Sequence, residues 1–107
     1  MSERRTSPLE SFVGRKLDAD RALRSTVAAL AAEPGVSWAG IALVKDGALE
    51  LVASAGIPDE ERRTGAPIVV RDAVVGELSA DGDVDATLLE RVATLIGAYV
   101  LTAPRQP

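Results

Sequence analysis

The dipeptide Asp46-Gly47 separates two runs that are apolar over most of their length, VSWAGIALVK and ALELVASAG. Glycine accepts the positive φ that a tight turn demands, so this pair is a strong hairpin signal. A two-residue loop pairs Lys45 with Ala48, Val44 with Leu49, Ala42 with Leu51, Ile41 with Val52 and Gly40 with Ala53. One face then carries Trp38, Gly40, Ala42, Val44, Leu49, Leu51 and Ala53. The other carries Ala39, Ile41, Leu43, Glu50, Val52 and Ser54. Neither face is polar throughout, whereas an antiparallel sheet with one wet side alternates cleanly. Something is therefore expected to cover both sides. The small residues after Trp38 leave room on one of them.

A second strand pair is expected over residues 67–80, PIVV and AVVGELSA, turning near Arg71-Asp72, with Glu77 and Ser79 pointing opposite to Gly76, Leu78 and Ala80. Between the hairpins lies a charged connection, residues 56–66 (GIPDEERRTGA), with one helical turn expected after Pro58. Arg62-Arg63 follows Glu60-Glu61, which reads as a solvated, self-compensated loop.

Helices flank this core. Ser7-Pro8-Leu9-Glu10 combines a capping serine, a proline suited to the first helical position and a glutamate placed to complete a capping box. Leu9, Phe12, Val13, Leu17, Leu23, Val27 and Leu30 then share one side at the helical period. Asp20 interrupts that stripe: either the helix breaks near Gly14–Asp18, with Asp18 capping a second segment, or Asp20 faces a partner, and the break is the simpler account. Glu33-Pro34-Gly35 closes the region, residues 1–33, because the residue before proline resists the helical conformation. The final helix is expected over 84–102, with Pro104 beyond its end. It carries two apolar stripes: Leu88, Val92, Leu95, Tyr99 and Leu89, Ala93, Ile96, Val100. A helix apolar on two sides needs two neighbours. One is the sheet; the other is either the N-terminal helix or the same helix of a second chain. The expected fold is a single α+β domain over 1–107, an antiparallel four-stranded sheet of two hairpins flanked by an N-terminal and a C-terminal helix.

Composition narrows the chemistry. A chain of 107 residues buries a little over about 60% of its extended surface, enough for one core. With one Trp, one Tyr and one Phe, that core is aliphatic. No cysteine or histidine is present, which removes disulfides, thiolate nucleophiles and the usual general base. No apolar run reaches the ~18 residues of a membrane span, and MSERRTSPLE lacks a signal peptide's apolar stretch. A cytoplasmic location is expected, and the arginine-over-lysine bias with abundant Ala, Val and Gly points to a bacterium. The net charge of −4, with bases dispersed among acids, argues against nucleic acid. Asp81-Gly82-Asp83-Val84-Asp85 suggests calcium at first sight. An EF-hand loop would then need a glycine and a glutamate where Ala86 and Val92 stand. Helix capping by Asp83 or Asp85 is the better reading, and no metal or cofactor is expected.

WAGIALVKDGALELVASAG resembles the opening hairpin of GAF domains, whose first strand often reads Trp-x-Gly-x-aromatic-Leu. PIVVRDAVVGELSADGDVDATLLERVATLIGAYV resembles their closing strands and terminal helix. Together the two blocks make up about half of the chain. The resemblance implies a pocket floor at Trp38, Gly40 and Ala42, with Ala42 where an aromatic residue is common. It also implies that the long excursion which covers the pocket in that family is reduced here to residues 56–66. GAF-type free methionine sulfoxide reductases are the nearest enzymes by pattern. They use cysteines from that middle segment, and their acidic substrate-binding positions fall on Ser79 and Asp81. Without cysteine, reduction through a thiol of this chain is excluded. Neither the Asn-Lys…Asp-Glu pattern of cyclic-nucleotide GAF domains nor the Cys and His of phytochrome types appears in the sequence.

The expected ligand-facing set is Trp38, Gly40, Ala42, Glu77, Ser79 and Asp81. Glu77 and Asp81 also form a candidate carboxylate pair for acid–base work, for which the sequence offers no histidine and no recognisable nucleophile. Exposed apolar patches rarely stay bare. A C2 homodimer is therefore expected through Leu88, Leu89, Val92, Leu95, Ile96 and Tyr99. The function expected from these readings is a non-catalytic, GAF-like regulatory or sensory module that self-associates, with a small-molecule ligand on the Trp38 face. A ligand-free assembly scaffold and a cysteine-free relative of the reductases are the alternatives.

Overall fold

The computed structural model describes the backbone of residues 8–102 and the side chains of residues 19–100. The elements in chain order are α1 (Pro8–Ala31), β1 (Val36–Lys45), β2 (Ala48–Gly56), a 3-10 turn (Glu60–Arg62), β3 (Arg63–Val70), β4 (Ala73–Gly82) and α2 (Ala86–Thr102). The strands form one antiparallel four-stranded sheet in the order β2-β1-β4-β3, so each hairpin lends one strand to the central pair. The expected architecture is present: two helices and a four-stranded antiparallel sheet, α+β, consistent with a GAF-like fold.

Both turns use backbone that few residues tolerate. Asp46 and Gly47 have φ of 51° and 82°, and Arg71 and Asp72 have φ of 52° and 66°. Two successive positive values make a turn whose twist matches its strands. From the first turn the register runs as expected, Lys45 opposite Ala48 through Ala42 opposite Leu51. It then shifts: Ile41 faces Ala53, and Gly40 faces Ser54. One extra residue on β2 exchanges the faces of everything beyond it. Ala53 therefore joins Ile41 on the covered side, and Ser54 joins Gly40 on the other, the reverse of the simple pairing.

Two further expectations are corrected. α1 runs unbroken through Gly14–Asp20. Asp20 is half-buried, at the border of the Leu23–Val27–Leu30 stripe and not at its centre, so no break is needed to keep its carboxylate near water. β3 begins at Arg63, ahead of Pro67, so the last four residues of the charged connection, 63–66, are strand. The Ser7 cap, the side chains from Leu9 to Asp18, and Pro104 lie outside the described residues.

Both helices cover the same sheet face, α1 over β1 and β2, α2 mainly over β3. Alanines at 39, 53, 66 and 80 let the helices approach, and Ile41, Ile68 and Leu78 fill the space between them and Leu23, Val27, Leu30, Leu89 and Ile96. α2 approaches β3 tightly at Gly97, where a Cβ would lie 2.9 Å from the Val69 carbonyl oxygen. Asp85 starts α2: its Oδ1 accepts the Thr87 N–H at 2.9 Å and its carbonyl accepts the Leu89 N–H. No helix among the described residues is long and apolar enough to cross a membrane.

Candidate functional site: the open sheet face and the helix groove

The sheet face opposite the helices is built in rows across three strands. Trp38 of β1 lies opposite Asp81 of β4, which lies opposite Arg63 of β3; Gly40, Ser79 and Gly65 form the next row, then Ala42, Glu77 and Pro67. Strand alternation thus gathers the six expected ligand-facing residues on neighbouring positions of one face.

The room that Gly40 leaves is already taken. A Cβ on Gly40 would lie 2.2 Å from Cη2 of Trp38, so the indole folds back across its own strand. Trp38 is only 7% exposed. Gly65 is covered in the same way, with Glu77 Oε2 2.8 Å from where a Cβ would be. Over the indole lies the Arg63 guanidinium, 4.4 Å from the ring centroid, in cation–π geometry.

Asp81 organises this end of the face. Its side chain is completely buried and accepts three bonds: from Arg63 Nε at 2.7 Å, from Arg63 Nη2 at 2.9 Å and from the Asp59 N–H at 2.7 Å. A buried carboxylate persists when it is paired and hydrogen-bonded. The bonds from Arg63 hold its pKa below the ordinary carboxylate value against the opposing effect of burial, with the Asp59 N–H adding to the depression. The same bond raises Arg63. Beside it Arg62 pairs with Asp83 on the exposed surface.

Several expectations change on this geometry. Arg63 is no solvated loop residue: it is the cation that Asp81 requires, and its side chain is 32% exposed. Arg63 and Asp59 are site residues that the sequence reading passed over. Their signal was the spacing from Asp81, visible only once β3 is known to start at Arg63. Glu77 is exposed and Ser79 is buried, so Glu77 and Asp81 form no matched carboxylate pair. Among the described residues no group of three His, Cys, Asp or Glu side chains is placed to hold a metal ion.

A second candidate region lies on the other side. α1 and α2 sit over opposite halves of the sheet, leaving an apolar groove of about 280 Å³ between them. Leu88, Val92, Leu95 and Tyr99 face Thr26, Ala29 and Glu33 across it, over a floor of Leu30 and Ile96. Leu95 is 64% exposed. Of the expected interface residues, Leu89 and Ile96 belong to the core against the sheet. Of the two stripes expected on α2, the one carrying Leu89, Ala93 and Ile96 is taken by the sheet.

No protein-family model and no curated protein matches the chain. Among solved structures it is similar to the type II free methionine-R-sulfoxide reductase from Thermoplasma acidophilum. The identity is 15% with a TM-score of 0.68, covering 86% of this chain and 99% of that one. At that identity the likeness concerns the fold. Because 99% of the other chain is covered, almost none of its length lies outside the match.

Proposed function

We propose that this chain is a non-catalytic, GAF-like regulatory module that works by self-association, the outward stripe of α2 packing across the helix groove of a second copy. The observation that carries the reading is the exposed row Leu88, Leu95, Tyr99 with half-buried Val92 beside an apolar groove in the same molecule. A surface holding both a ridge and a groove is self-complementary under a two-fold axis, the commonest symmetry of soluble assemblies. Apolar surface of this kind is typical of interaction sites. The filled Trp38 face supports association over small-molecule capture: the niche expected for a ligand is occupied by the chain's own guanidinium. Native mass spectrometry tests both parts. A dimer that dissociates in Leu95→Glu supports the proposal; a wild-type monomer at micromolar concentration, or a retained small molecule without a dimer, overturns it.

The likeness to a methionine sulfoxide reductase favours one second reading, a relative that works without cysteine. Since the chain holds no thiol, the two electrons for sulfoxide reduction would come from an added reductant, the oxygen leaving as water. Turnover of free methionine sulfoxide with dithiothreitol, lost in Glu77→Gln, would replace the non-catalytic reading.

A further inference from the structure

Residues 57–62 connect the hairpins and reach the Trp38 end of the open face, where their hold on the sheet is almost entirely polar. Ile57 is exposed, as are Glu60, Glu61 and Arg62, and the 3-10 turn buries no residue. The Ile57 N–H donates to the Ser37 carbonyl at the start of the segment. Beyond that point the main attachment is Asp81, which takes the Asp59 N–H on Oδ2 and the Arg63 guanidinium on both oxygens. The surface pair Arg62–Asp83 adds a contact, but exposed ion pairs contribute little. A segment with no buried apolar side chain, fixed chiefly at one carboxylate, belongs to the part of a fold that opens locally before the core does. Directly under the fixing point lies the indole, between Gly40 and the guanidinium.

We propose that residues 57–63 form a strap, latched by the Arg63 side chain on Asp81, that opens as a unit and uncovers the Trp38 face. Only Arg63, the first residue of β3, leaves the sheet. In the closed state Arg63 is the occupant of the niche. In the open state the indole, the Gly40 floor and the Asp81 carboxylate become accessible together, because the same guanidinium covers the ring and neutralises the acid. This device is separate from the helix groove and does not depend on self-association.

Chemical labelling reads the open state directly, since Trp38 is the single tryptophan and no thiol competes for the reagent. Hydroxynitrobenzyl bromide should modify Trp38 about tenfold faster in Arg63→Gln than in wild type, the equivalent of ~1.4 kcal/mol. Arg62→Gln should label at the wild-type rate. An unchanged rate in an Arg63→Gln protein that still melts cooperatively overturns the latch. Native-state hydrogen exchange of the wild type decides the matter even if Arg63→Gln does not fold. The Asp59 amide should exchange through an opening insensitive to low urea, while amides of β1 exchange only with global unfolding. An Asp59 amide as well protected as those of β1 overturns the proposal.

Discussion

Gly40 and Asp81 carry most of the open face's design. A glycine after a tryptophan reads as a vacancy in the sequence, yet the structure spends it on the tryptophan itself. The indole lies where the Cβ of any other residue would be. Gly40→Ala should therefore destabilise the fold by about 1–3 kcal/mol, as overpacked interiors do, and red-shift the emission of Trp38 as the ring is displaced. Urea denaturation followed by that emission measures both; an unshifted midpoint would mean the ring has another seat. Asp81 makes a pH prediction. Its folded pKa is held low by Arg63 and the Asp59 N–H, so folding releases its proton more readily than the unfolded chain does. The stability this contributes is fully present above the ordinary aspartate value of about 3.9. It is lost as pH falls through the lower folded value. Arg63, raised by the same bond, stays charged throughout. Denaturant midpoints measured from pH 7 downward should fall more steeply below about pH 4 in wild type than in Asp81→Asn, which has lost that group's titration.

Elements were legible in the sequence to the extent that their signals are local. The Asp46-Gly47 turn, the register near it, and the two stripes of α2 follow from turn chemistry and period alone. What was hidden depends on partners distant in sequence. The bulge on β2 that turns Ala53 inward has no residue marker. Neither does the early start of β3, which a charged composition disguised as loop and which carries Arg63 to its place opposite Asp81. The division of the α2 stripes is likewise a tertiary outcome, with Leu89 and Ile96 taken by the sheet while Leu88 and Leu95 are left outside. Gly97 shows how two scales compete within one element. Alanine there would improve helix propensity by about 0.8–1 kcal/mol. The added Cβ would meet the Val69 carbonyl oxygen at 2.9 Å, a backbone atom of a paired strand that cannot step aside alone. Displacing α2 from β3 costs about 1–3 kcal/mol as an overpacking defect, so Gly97→Ala should lower the melting temperature. A rise would show that α2 shifts freely on the sheet.

At the scale of the whole molecule the two faces are unequal. The helices protect one side of the sheet but stand apart from each other, and the groove between them keeps its apolar lining open to water. If a second copy closes that groove, mass action must appear in the melting curve. A protomer at a total concentration about 100 times the dimer's dissociation constant gains roughly 1.6 kcal/mol, less than the ~2.7 kcal/mol of a ligand in free excess because association depletes the free copies. At this chain length each kcal/mol moves the melting temperature by about 4–8 °C, so raising the protein concentration about a hundredfold through that range should raise it by roughly 5 °C or more. Leu95→Glu should melt at one temperature over the same range, because a carboxylate in the ridge cannot be buried unpaired. Salt separates this interface from an ionic one. Each copy carries a net charge of −4, so two copies repel, and added salt screens that repulsion while leaving apolar contact intact. Association should therefore hold or strengthen as salt rises. Dissociation by salt, or a wild-type melting temperature indifferent to concentration, would place the stripe of α2 outside any contact between copies.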